Sequence, residues 1–294
     1  MNKFSMRLLS AEEQAKILPL LGKCFPDYWE QIASECGKMP FEEISFAAFD
    51  GDRPVGHCGI IPYTIWCEGN LSRMAGIASV ATDPDYRKMG IAVNLCRFAA
   101  QWAQENGFAS LPLYTGFFRV YEAANWRKMD VPETVSVKVS APPVLWRHGS
   151  ELTSAEKTQI IDIYNNSENF NGKVLRQDSG TLHSWARVFG EPGFTFAKIP
   201  DAYAIKADSA VIELGFADVM PLAARKDFFA SLAENGSVEC LLAPTAANTQ
   251  IISGFSQEKS TIDAMHGERP MVLDLGSGNF HTRYTIFFPV ADKF

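Results

Sequence analysis

The residues best suited to chemistry sit together at Arg87-Lys88-Met89-Gly90-Ile91-Ala92. Two basic side chains precede a glycine. The glycine opens a segment in which Ile91, Leu95, Phe98, Ala99, Trp102 and Ala103 recur at helical spacing. A helix that starts at a glycine presents unpaired backbone N–H groups and the positive end of its dipole. The missing side chain of Gly90 lets an anion approach that backbone closely. This is the chemistry of a turn that holds a phosphate or pyrophosphate. A second reactive group is the Tyr121 phenol, within Phe117-Phe118-Arg119-Val120-Tyr121-Glu122-Ala123-Ala124-Asn125-Trp126. His57, Glu68 and Glu122 are the side chains able to accept a proton nearby in sequence. Each has a plain structural reading as well: a strand histidine, a turn residue and an outward helix residue.

The elements that must position these groups can be read outward from the turn. Ile77 to Thr82 is a β-prone run ended by Asp83-Pro84-Asp85. Asn106-Gly107 stops the helix, and Ala109 to Tyr114 is the next strand. A helical crossover makes that strand parallel to the one before the turn. Upstream, Phe4 to Leu9 is a strand, and Ser10-Ala11-Glu12-Glu13 fits a capping box for a helix through Ala15, Ile17, Leu18 and Leu21. A further helix is expected over Asp27 to Cys36. Ile44 to Phe49, a hairpin turn at Asp50-Gly51-Asp52, Val55 to Trp66 and Leu71 to Thr82 form an antiparallel meander. Gly56, Gly59 and Pro62 predict a bulge or bend in its middle strand.

Context separates the basic turn from the many strand-turn-helix units that bind nothing. The unbroken series Val80-Ala81-Thr82-Asp83-Pro84-Asp85-Tyr86-Arg87, followed by the glycine turn, resembles motif A of the GCN5-related N-acetyltransferases, the GNAT superfamily, with Ala92 in the last motif position. The Phe117–Trp126 segment resembles a later superfamily motif, with Tyr121 at its tyrosine, Asn125 at its glycine and Trp126 at its aromatic position. The resemblance implies two parallel strands that splay apart after a bulge. An acyl-CoA would then pair its pantetheine with the backbone of Val80, Ala81 and Thr82. Its pyrophosphate would lie on Arg87, Lys88, Met89, Gly90, Ile91, Ala92 and Val93. Tyr121 would protonate the leaving thiolate, for which a phenol is a well-matched acid.

The second half repeats the element order. Thr153-Ser154-Ala155-Glu156 is another capping box, Phe194 to Ile199, Ala202 to Lys206 and Ala210 to Phe216 are strands, Pro221 to Asn235 is a helix and Val238 to Leu242 a strand. Where the first half has its basic glycine turn, the second has Val219-Met220-Pro221-Leu222-Ala223-Ala224. It has no glycine, and proline removes a donor. The tandem arrangement resembles the enhanced-intracellular-survival acetyltransferases without their third domain. In that group the terminal carboxylate, here Phe294, reaches the active site. The expected fold class is α/β, with a mixed α+β sheet in each of two GNAT-like acyl-CoA N-acyltransferase domains. Residues 1–145 are expected to form the catalytic domain with the acetyl-CoA site, and residues 146–294 a degenerate domain that completes the acceptor site.

Composition bounds the partners. The 294 residues are 47% hydrophobic and 21% charged, a globular balance, and the net charge of −7 argues against nucleic acid as a partner. No apolar run reaches the roughly 18 residues that span a bilayer. Cys24, Cys36, Cys58, Cys67, Cys96 and Cys240 show no metal-ligand spacing and read as reduced thiols of a cytoplasmic protein, so no metal is expected. The sequence therefore predicts an N-acetyltransferase acting by direct attack of a small-molecule or peptide amine on acetyl-CoA. The alternative is a catalytically silent CoA-binding regulator. The oligomeric state is left open.

Overall fold

The computed structural model describes residues 4–26, 43–130, 133–177, 183–265 and 267–276. The helix expected over residues 27–36 and the Phe294 carboxylate lie outside the described residues.

The first half is built on a meander. β1 (Ser5–Leu8), β2 (Ile44–Asp50), β3 (Arg53–Cys67) and β4 (Asn70–Thr82) pair antiparallel in chain order. Gly51 turns the β2–β3 hairpin at φ +60°, and Glu68 and Gly69 turn β3 into β4 with both φ values positive. α1 (Leu18–Cys24) covers one face of this sheet through Leu20 and Leu21. Its N-terminus departs from the expected capping box. The Glu13 carboxylate accepts from Ser10 N–H at 3.3 Å but is drawn to Arg7 at 2.6 Å, and a 3-10 turn over Gln14–Ile17 precedes the helix.

α2 (Ile91–Glu105) follows β4 and covers the other face, burying Ile91, Leu95, Cys96, Ala99, Ala100 and Ala103. It lies so close to β3 that a Cβ on Gly56 would run into Ile91 Cγ2. The bulge predicted near Gly56 is present, as β3 slips on β2 between Gly56 and Pro54, and the missing side chain of Gly56 also admits the helix. β5 (Ser110–Thr115) returns parallel to β4, and α3 (Phe118–Glu122) and β6 (Arg127–Lys128) follow.

β7 (Val135–Lys138) and β8 (Arg147–His148) lead into the second half. α4 (Ser154–Asn166) starts at a complete capping box between Thr153 and Glu156, and α5 (Trp185–Gly190) follows. β9 (Phe194–Ile199), β10 (Ala202–Ala207) and β11 (Ala210–Phe216) form an antiparallel meander. α6 (Leu222–Ser231) begins one residue after Pro221 and ends short of the predicted Asn235. β12 (Ser237–Cys240), α7 (Ala246–Ile252), β13 (Ser256–Lys259) and β14 (Arg269–Asp274) complete the described chain.

Among the described residues two seven-stranded mixed sheets result, in the orders β1-β2-β3-β4-β5-β14-β6 and β13-β7-β12-β11-β10-β9-β8. The halves trade strands. β7 pairs with β12 and β13 in the second sheet, while β14 inserts between β5 and β6 in the first. Sheet membership therefore crosses the division expected at residues 145/146. The end of β3 also bonds to the second half, with Trp66 N–H on Lys173 O at 2.9 Å and Leu175 N–H on Thr64 O at 2.8 Å.

Candidate functional site

The glycine turn is built as an anion site would have to be. Gly90 takes φ +76° and caps α2 with no side chain, and the first intrahelical bond is Asn94 N–H to Gly90 O at 3.0 Å. The first-turn N–H groups from Ile91 onward have no intrahelical acceptor. Arg87, Lys88, Met89 and Gly90 are exposed, and Lys88 is also left-handed at φ +64°. Ile91 anchors the turn from below, while Ala92 and Val93 are half-buried.

The segment before the turn is clamped to the sheet. The Asp83 carboxylate receives Lys23 Nζ, Arg53 Nη2 and the Asp85 N–H, at 2.9, 2.9 and 3.0 Å. Burial would raise its pKa, but these three donors outweigh burial and hold it at about 2. Tyr86 Oη donates to Asp50 at 3.0 Å, and the Arg53 guanidinium lies over the Tyr86 ring.

β4 carries the expected bulge. Its register on β3 slips between the pairs Gly59↔Ala78 and His57↔Ala81, leaving Ser79 and Val80 opposite Cys58. Ser79 adopts φ +53° there. On its other edge β4 meets β5 in a parallel ladder confined to Met74↔Ser110. Beyond it the strands part, so the edge at Val80, Ala81 and Thr82 faces a split. Val80 is half-buried on the α2 side and Ala81 is buried on the α1 side.

Tyr121 lies on α3 and packs on the same apolar cluster as Val80, with Trp126 edge-on at 6.3 Å. The helix ends as its motif requires. Asn125 is left-handed at φ +76°, Trp126 N–H bonds to Tyr121 O at 2.9 Å, and Trp126 Nε1–H bonds to Leu111 O at 2.8 Å. Burial pushes the Tyr121 phenol well above its ordinary pKa. The Cys96 and Cys58 thiols and Glu268 add to that, and Thr115 opposes it. The phenol is therefore protonated at neutral pH.

Of the three proton acceptors read from sequence, two face away. Glu122 is exposed and paired with Lys128 at 3.3 Å, and Glu68 is a turn residue whose N–H bonds to Asn171 in the second half. His57 is fully buried on the α1 face beside Glu43, with Nε2 3.2 Å from Glu43 Oε1. Sequence reasoning missed Glu43. Its signal lay in the hairpin register about Gly51, which sets Ser45 opposite Gly59 and Ala47 opposite His57. Gly59 is needed because a Cβ there would strike the Glu43 carboxyl.

Residues 5–129 match the acetyltransferase (GNAT) domain family. No curated protein matches the chain. The first half therefore carries a domain similar to the GNAT acetyltransferases. Similar folds are found in a GCN5-related N-acetyltransferase from Anabaena variabilis (TM-score 0.64, 16% identity, 92% of this chain and 73% of that one) and in Eis1 from Mycobacterium abscessus (0.61, 12%, 92% and 74%). A protein of unknown function from Enterococcus faecalis, described as a probable N-acyltransferase, is similar over 92% of this chain and 72% of that one (0.63, 15%). The likeness to Eis1 spans both halves, so the two-domain fold is shared. Among the described residues, no helix is long and apolar enough to cross a membrane.

Proposed function

We propose that the protein transfers an acetyl group from acetyl-CoA to a primary amine, by direct attack in a ternary complex. The observation that carries this reading is the uncapped start of α2 at left-handed Gly90, next to the unpaired edge of β4. The pyrophosphate lies on the N–H groups from Ile91 to Val93, with Arg87 and Lys88 supplying positive charge. Met89, Gly90 and Ala92 shape the turn. The pantetheine amides pair with the edge at Val80, Ala81 and Thr82 as an added strand would. A backbone N–H of that edge polarises the thioester carbonyl.

The amine nitrogen attacks the carbonyl carbon, the C–S bond breaks, and Tyr121 gives its proton to the departing thiolate. The amine's proton leaves to solvent water. Residues 1–145 carry this chemistry, and the half from 146 to 294 walls the acceptor side. An amine acceptor, small molecule or peptide, fits the net charge of −7 better than a nucleic acid does. The test is thiol release from acetyl-CoA with a panel of amines. Release above the rate in water supports transfer. CoA binding without release on any amine would favour the regulatory reading.

A further inference from the structure

We infer that Glu43 and His57 are positioning residues, a buried clamp that holds the β4 bulge in the shape the acyl-CoA edge requires. The inference rests on the acyl-CoA reading of that edge. Ser79 is a non-glycine residue at φ +53°, a conformation that side chains disfavour and that persists only where surroundings impose it. Two groups hold it. His57 Nδ1 is 2.8 Å from the Ser79 carbonyl oxygen. A carbonyl only accepts, so Nδ1 carries the proton and donates. Ser79 Oγ in turn donates to Glu43 Oε2 at 3.1 Å. The main chain and the side chain of the strained residue are thus tied to two neighbouring side chains.

The clamp is itself fixed. Glu43 is 4% exposed and His57 0% exposed. Ser45 Oγ donates to Glu43 Oε1 at 3.3 Å, and Gln14 Nε2 donates to Glu43 O at 3.0 Å. Gly59 leaves the space the carboxyl fills. His57 Nε2 is near Glu43 Oε1 but off the line of a hydrogen bond, so the imidazole is held chiefly through Nδ1. The groups converge on the residue before Val80, the first position of the open edge. Fully buried, His57 touches no substrate, and its effect passes through the backbone of Ser79.

Two substitutions separate the clamp from mere packing. Asparagine can place its amide N–H where Nδ1 was, whereas glutamine reaches toward the Nε2 position. The clamp predicts that His57→Gln weakens CoA binding by about tenfold, measured by calorimetry, and that His57→Asn weakens it much less. It also predicts that Ser79→Gly, which removes the cost of the positive φ, restores binding in the His57→Gln background. Amide hydrogen exchange over residues 78–83 reads the bulge without any ligand. Exchange should quicken in His57→Gln and return toward wild type in the double variant. Equal losses in the two single variants, with no rescue by Ser79→Gly, would overturn the clamp. Ser79→Ala keeps the carbonyl bond but loses the Glu43 bond, and it covers the case in which His57→Gln does not fold. Quickened exchange in Ser79→Ala supports the clamp, and unchanged exchange contradicts it. A wild-type protein that does not bind CoA would remove the acyl-CoA reading, and with it the inferred role, even if exchange showed the bulge to be tied.

Discussion

The strand-turn-helix of the first half and its counterpart in the second differ in where their polar groups point. In both halves the parallel strand pair is joined at a single ladder position. β4 meets β5 at Met74↔Ser110, and β11 meets β12 at Val211↔Cys240. The turns beyond those junctions diverge. In the first half Gly90 leaves the start of α2 open and the basic side chains exposed. In the second, Pro221 caps α6 without a side-chain bond, and the Arg225 guanidinium folds back. Arg225 donates to Met220 O at 2.8 Å, Ala217 O at 3.1 Å and Asp218 O at 3.2 Å. The second turn's cation is bound to the turn's own carbonyls. The short parallel junction is thus a property of topology, shared by both halves, whereas the open basic turn is a property of a few residues and occurs in the first.

The largest effect that sharpens this contrast is on turnover. Tyr121→Phe should lower acetyl transfer about 100-fold or more, with CoA affinity unchanged, as loss of an aligned acid does. Steady-state rates and a calorimetric Kd check the two halves of that statement. Gly56→Ala should cost about 1–3 kcal/mol by overpacking α2 against β3, and weaken CoA binding as the turn shifts. Denaturant unfolding and a CoA titration on one sample measure both.

Asp83→Asn removes a carboxylate held at about 2, near-buried under Lys23 and Arg53. The folded pKa is depressed, so its stabilisation is full above the unfolded value near 4 and fades as pH falls toward 2. The substitution should cost about 1–2 kcal/mol at pH 7, and wild type and variant should converge at acid pH in urea melts. The smallest effect is expected in the second half. Arg225→Ala should lower stability by roughly 1 kcal/mol through three lost carbonyl bonds and leave CoA binding untouched.

Much of this contrast is legible in the sequence. The change from period two to helical period at Gly90, and the proline in the second turn, are local signals, and local chemistry fixes what they build. Asn125 is left-handed where its motif position demands it. The strand exchange was not legible, because β7 and β14 are short and their partners β12 and β5 lie far away in sequence. Glu43 was missed because its meaning depends on a neighbour across a hairpin. Gly59 marks the predicted register shift on β4, and its second purpose, space for a carboxyl, shows only in three dimensions. His57 read as an ordinary strand histidine, and only the Ser79 bulge gives its burial a purpose.

The proposed function requires one acyl-CoA site in the chain, on the Gly90 turn. A calorimetric titration of CoA into wild type, Gly90→Glu and Arg225→Ala tests it most directly. Glutamate at Gly90 would add both a strained left-handed side chain and a negative charge at the anion site. One CoA per chain is expected in wild type and in Arg225→Ala, and none measurable in Gly90→Glu. Equal affinity in wild type and Gly90→Glu, or a stoichiometry of two, would contradict it.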